Sequence, residues 1–145
     1  MYNLIVINTD WSSGRASLPF SRMCEYTESS IIDRYGTGSG TDVAALRAFP
    51  CLFLREGDSF EEARIGVLTD VTPKKSEVHF SYEFDQFAPP LTNQFLLRLR
   101  LNLNIEEFEF FRNHWAVKNV DLYKFVISKV KERLINGFGC AEMAV

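Results

Sequence analysis

Residues 77–84 read Glu-Val-His-Phe-Ser-Tyr-Glu-Phe, so that Val78, Phe80, Tyr82 and Phe84 fall on one side and Glu77, His79, Ser81 and Glu83 on the other. A period of two is what a pleated strand with one buried face imposes. The apolar run 63–71 precedes it across Thr72-Pro73-Lys74-Lys75-Ser76, and the pair predicts an antiparallel hairpin around a polar turn. A lone hairpin is marginal in water, so the rest of the chain must supply more strands and a covering layer.

Residues 4–8 form a short, β-branched run ended by polar residues and are expected to be a buried strand, as is 51–54 after Pro50. The stretch 11–19, with Ser12, Ser13, Gly14 and Pro19, reads as a loop, and 20–35 as a helix with imperfect spacing of its apolar residues. Asp42 is placed to cap a short helix over 43–47. Residues 95–105 admit two readings. Leu97, Leu99, Leu101, Leu103 and Ile105 alternate as in a strand, while Thr92 as cap and Phe95, Leu96, Leu99 and Leu103 as stripe favour a helix over 94–101. The helix is preferred, with a strand following over 108–112 where Glu and Phe alternate. Asp121 caps the clearest helix, with Leu122, Phe125, Val126, Val130 and Leu134 on one face and Asn136-Gly137 as its stop.

The sum is one α+β domain over 1–138, followed by a loosely ordered tail, 139–145. It is expected to hold a small twisted antiparallel sheet or partly closed β-barrel, the C-terminal amphipathic helix and one or two further short helices.

Net charge near −3 gives no global field to draw a polyanion, which disfavours nucleic acid. Lys124, Lys129, Lys131 and Arg133 leave the basic face of the last helix as a local exception. Cys24, Cys51 and Cys140 are odd in number and form no CxxC, so neither a disulfide framework nor a zinc site is signalled, and a reducing cytoplasm is the expected home. No apolar run has the length of a signal peptide core or a membrane span.

Chemistry-bearing side chains concentrate in 108–121, around one of the chain's two histidines and one of its two tryptophans. Read as a site, His114 is a proton carrier, Lys118 and Arg112 hold an anion, and Asp121 orients the base. Read as structure, Asp121 is a helix cap, Trp115 a core or interface anchor, and His114 a hydrogen-bonded lock at a junction of two elements. The spacing matches no catalytic signature and no Ser or Cys nucleophile stands beside it, so the structural reading leads.

Other motifs are weaker. Gly36-Thr37-Gly38-Ser39-Gly40 lacks the lysine of a phosphate loop and reads as a surface connection. Glu56, Asp58, Glu61 and Glu62 lack calcium-loop spacing and read as a solvated acidic turn. Glu77-Val78-His79 is an imperfect echo of a nuclease metal strand, and Arg15, Arg22, Arg34, Arg47, Arg55 and Arg64 are dispersed.

These readings predict a non-catalytic interaction or ligand-sensing module that works with a protein partner or by self-association, without cofactor or metal. Trp115, His114 and Lys118 are its candidate binding residues. Two alternatives stand beside it: a small hydrolase or nuclease acting on an anionic substrate through His114, Lys118 and Arg112, and nucleic-acid binding by the last helix.

Overall fold

A computed structural model describes residues 1–36 and 41–135. Its frame is a curled mixed sheet of seven strands: β1 (Tyr2–Ile7), β2 (Arg15–Pro19), β3 (Cys51–Arg55), β4 (Glu62–Lys74), β5 (Glu77–Phe84), β6 (Leu91–Thr92) and β7 (His114–Lys118). The spatial order is β2-β5-β4-β3-β1-β7, with β6 paired to β4. Among the described residues four α-helices complete the α+β fold: α1 (Ser29–Tyr35), α2 (Val43–Leu46), α3 (Asn93–Leu99) and α4 (Leu122–Ile135). None of the helices among the described residues is long and apolar enough to cross a membrane.

The sheet curls enough to bring its ends together. Phe80 on β5 and Trp115 on β7 are separated by β4, β3 and β1, yet their ring centroids lie 5.5 Å apart, and Met23, just beyond β2, bridges Trp115. The concave interior holds a ring-rich core of Trp11, Phe53, Phe80, Tyr82 and Trp115, capped by Ile31 and Tyr35 of α1 and Val43 and Leu46 of α2. A second core lies on the convex face, where Leu4, Val6, Leu52, Leu54, Ile65 and Ala116 meet Leu96 of α3 and Leu122, Val126 and Val130 of α4. Strand β1 serves both, which is why Tyr2 to Val6 is an unbroken buried run with no polar alternation except Asn3.

The hairpin is present and longer than its sequence pattern implies. Both strands continue through the turn region until only Lys75 and Ser76 remain between them, with Lys75 in the left-handed region at φ 59°. Gly66 is required where β4 passes β5, because any Cβ there would run into the Glu83 carbonyl. The two predicted caps hold: Asp42 accepts from the Ala45 N–H at 3.1 Å and Asp121 from the Lys124 N–H at 3.1 Å. Thr92 likewise accepts from the Phe95 N–H, and 94–101 is helical as preferred, over Asn93–Leu99.

Several expectations are corrected. The sheet is not purely antiparallel, since β1 and β3 run parallel, the long excursion between them supplying the crossover. Residues 15–19, read as loop, form β2. Their polar sequence suits an edge strand, where Pro19 costs no ladder hydrogen bond. Residues 20–35 are helical only in a 3-10 turn, Phe20–Arg22, and in α1. Between them Cys24 and Tyr26 take left-handed φ values of 58° and 51°, which no α-helix allows. The strand expected over 108–112 is a 3-10 helix, Glu107–Phe111, and the strand starts later, at His114. Sequence alternation there was a by-product of a turn that sends Glu109 and Phe110 inward. The Gly-rich residues 37–40, the helix stop at Asn136-Gly137, Cys140 and the tail 139–145 lie outside the described residues.

Candidate functional site

Strand β7 divides the residues that sequence had grouped. Trp115 and Val117 face the concave interior, whereas His114 and Lys118 share the convex side with Ala116. Trp115 is fully buried and its indole N–H donates to Asn3 Oδ1 at 2.9 Å, while the Asn3 amide donates in turn to the Leu46 carbonyl. The one polar residue of β1 thus exists to satisfy the one buried indole of β7.

On the other side, the hub is Glu109, carried inward by the 3-10 helix. Its carboxylate lies 3.1 Å from His114 Nε2 and 3.0 Å from Lys118 Nζ, and also accepts the Glu106 backbone N–H at 2.6 Å. Side chains of Glu109 and His114 are 0% exposed and that of Lys118 3%. Lys118 Nζ donates further to the Tyr26 carbonyl at 2.7 Å, and His114 Nδ1 lies 2.5 Å from the Arg112 carbonyl. Both imidazole nitrogens therefore face oxygen atoms and neither is left without a partner. The Tyr2 hydroxyl donates to the Leu103 carbonyl. Its ionisation is pushed well above the usual tyrosine range, first by burial and then by the Glu109 charge.

Chemically this is a closed ion cluster. Each charged group has its partners, the imidazole meets no solvent, and no lone pair or proton is presented outward. Removing one member of such a cluster strands a buried charge, at a cost of about 3–5 kcal/mol.

The segment between the 3-10 turn and α1 forms its lid. Met23 bridges Trp115, the Thr27 hydroxyl accepts the Val117 N–H at 3.0 Å, and the Tyr26 ring packs edge-on against the imidazole at 5.2 Å. Tyr26 also meets Phe108 edge-on at 4.7 Å. Arg112 does not join His114 through its side chain. It turns outward to pair with Glu25 at 2.9 Å and lies over the Tyr26 ring. Of the named candidates, then, His114 and Lys118 meet at Glu109, Arg112 stands on the lid, and Trp115 lies on the opposite face of β7.

Outside this cluster, Glu61 accepts the Ser59 N–H and Glu62 pairs with Arg64 within the acidic turn. Among the described residues no group of three or more His, Cys, Asp or Glu side chains converges as metal ligands. Cys24 and Cys51 are free and buried, and burial pushes the Cys51 thiol up to about 12.

Sequence reasoning missed Glu109 as the hub and Tyr26 as the lid. The available signal was the i, i+3 pair Glu106 and Glu109, a capping-box spacing that marks a helical turn rather than a strand. No family, no curated protein and no solved structure matches this chain.

Proposed function

We propose that the chain is a non-catalytic interaction module that docks a basic, arginine-bearing segment of a partner protein on the lid of the ion cluster. The supporting observation is a set of exposed aromatic rings where a sealed core would be expected to end in polar residues. Tyr26, Phe108 and Phe111 are 39%, 50% and 51% exposed, and Phe108 and Phe111 are three residues apart on one 3-10 helix, a spacing that brings side chains into line. Rings of this kind are the anchors of protein interfaces, and their faces take guanidinium groups.

Charge selects the partner's sign. Arg22 and Arg112 both lie within ion-pair distance of Glu25, whereas Glu28, Glu106 and Glu107 are exposed around the patch with no ion pair among the described residues. An acidic rim around aromatic faces complements a basic segment with apolar side chains. A cytoplasmic setting is part of the proposal, supported by the free thiols of Cys24 and Cys51. A hydrolytic site at His114 is disfavoured because the imidazole is enclosed and both its nitrogens are engaged.

The test is an NMR titration with a short peptide of alternating arginine and leucine, beside its glutamate-for-arginine counterpart. Saturable shifts at Tyr26, Phe108 and Phe111 with the basic peptide alone are expected, lost in a Phe108→Ser/Phe111→Ser variant of unchanged melting temperature. Equal response to both peptides, or none, would overturn the reading. Concentration-dependent dimerisation abolished by the same variant would assign the surface to a second copy instead.

A further inference from the structure

The convex core covers β1, β3, β7 and the start of β4, but takes no residue from β2 or β5. Beyond the reach of α3 and α4, the outer face of β2, β5 and the far half of β4 is open, and there it forms a groove of about 290 Å³ whose polar lining is Arg15, Asp70, Thr72, Lys74, His79 and Ser81. The register explains the gathering. Arg15 pairs Ser81, which pairs Asp70; His79 pairs Thr72 in the next row outward; and Lys74 ends β4 opposite Glu77.

A β-bulge between Leu68 and Asp70 decides this composition. Without the extra residue, Thr69, Val71 and Pro73 would face outward in those rows. With it Asp70, Thr72 and Lys74 do, and Val71 turns to the interior core. One inserted position thus converts a mostly apolar row into a carboxylate, a hydroxyl and an ammonium beside Arg15 and His79.

The charges of the groove are left open. The side chains of Arg15 and Lys74 make no hydrogen bond or ion pair among the described residues, on a protein whose net charge is −3. Asp70 uses one oxygen to accept from the Thr72 hydroxyl at 3.1 Å and keeps the other. His79 Nε2 lies 3.4 Å from Glu77 Oε2 at the margin. A guanidinium fork, an ammonium and an imidazole fit the oxygens of an anion, and a carboxylate beside them fits a donor hydroxyl on the same ligand.

We propose that this groove binds a small hydroxyl-bearing phosphomonoester, of the sugar phosphate or phosphorylated polyol class. Arg15, Lys74 and His79 hold the phosphate, and Asp70 accepts from a ligand hydroxyl. The site lies on a different face from the aromatic patch and does not depend on the partner reading above.

The experiment is an NMR titration of the intact chain with glucose 6-phosphate, inorganic phosphate and glucose as separate probes. Saturable shifts confined to β2, β5 and the second half of β4 are expected with glucose 6-phosphate, weaker ones with inorganic phosphate, and none with glucose. An Arg15→Ala/Lys74→Ala variant should bind glucose 6-phosphate at least about tenfold more weakly. Asp70→Asn should narrow the gap between glucose 6-phosphate and inorganic phosphate. These residues are exposed, so unchanged melting temperatures are expected and serve as the folding control. Absence of saturation with any probe, undiminished affinity in the double variant, or inorganic phosphate binding as tightly as the sugar phosphate would overturn the proposal.

Discussion

The chain's two histidines each stand beside a glutamate, and almost nothing else about them is alike. His114 lies 3.1 Å from Glu109 with both side chains at 0% exposure, whereas His79 lies 3.4 Å from Glu77 with both nearly half exposed. The first pair is tied to Lys118, Arg112 and the lid by hydrogen bonds that occupy each polar atom, so its chemistry is spent on holding the 3-10 helix to β7. The second sits near the side chains of Arg15 and Lys74, which make no hydrogen bond or ion pair among the described residues. Density of reactive side chains in sequence therefore marked the lock, and plain strand alternation concealed the accessible groove.

The largest expected effect breaks the sealed side. Glu109→Ala leaves His114 and Lys118 buried without their shared carboxylate and should cost about 3–5 kcal/mol in urea unfolding. A loss within the range of a surface substitution would mean that the cluster opens to water. Next, Asn3→Ala strands the buried Trp115 indole N–H, while the Leu46 carbonyl keeps the Phe49 N–H, and should cost about 1–3 kcal/mol.

The alkaline limb of the pH profile distinguishes the two regions. Burial and Glu109 raise the ionisation of Tyr2 in the folded state above its ordinary value of 10.0, so the fold favours the protonated phenol. That contribution is complete below pH 10.0 and is lost as pH rises beyond it. Tyr123, whose ionisation is pushed up to about 12 by burial and by its hydrogen bond to Asp85, adds to the same alkaline loss. Tyr2→Phe should flatten the alkaline limb of a stability profile measured by circular dichroism, and Ser81→Ala in the groove should leave it unchanged. Smallest of all, His79→Ala should shift stability by no more than about 0.5 kcal/mol, as befits an exposed residue on the outer face of β5.

Legibility in the sequence followed the kind of interaction involved. Local signals survived: the Asp42, Thr92 and Asp121 caps and the period-two hairpin depend on neighbours a few residues away, and each appears where expected. Non-local closures were hidden. Strand β2 owes its conformation to β5, some sixty positions on, and the left-handed Cys24 and Tyr26 are held by contacts to β7. The grouping of Trp115 with His114 failed for a related reason, because the strand in which both lie sends adjacent side chains to opposite faces. Within the groove, Asp70, Thr72 and Lys74 look like a turn and its approach until the bulge and the extended hairpin are known.

The most direct test of this division is acylation by diethyl pyrocarbonate, followed residue by residue with mass spectrometry in the native state and again in denaturant. His79 should be modified under native conditions while His114 stays unreactive until the protein unfolds. Comparable native rates at the two histidines would contradict the account, since an imidazole open to the reagent cannot be the sealed lock described for His114.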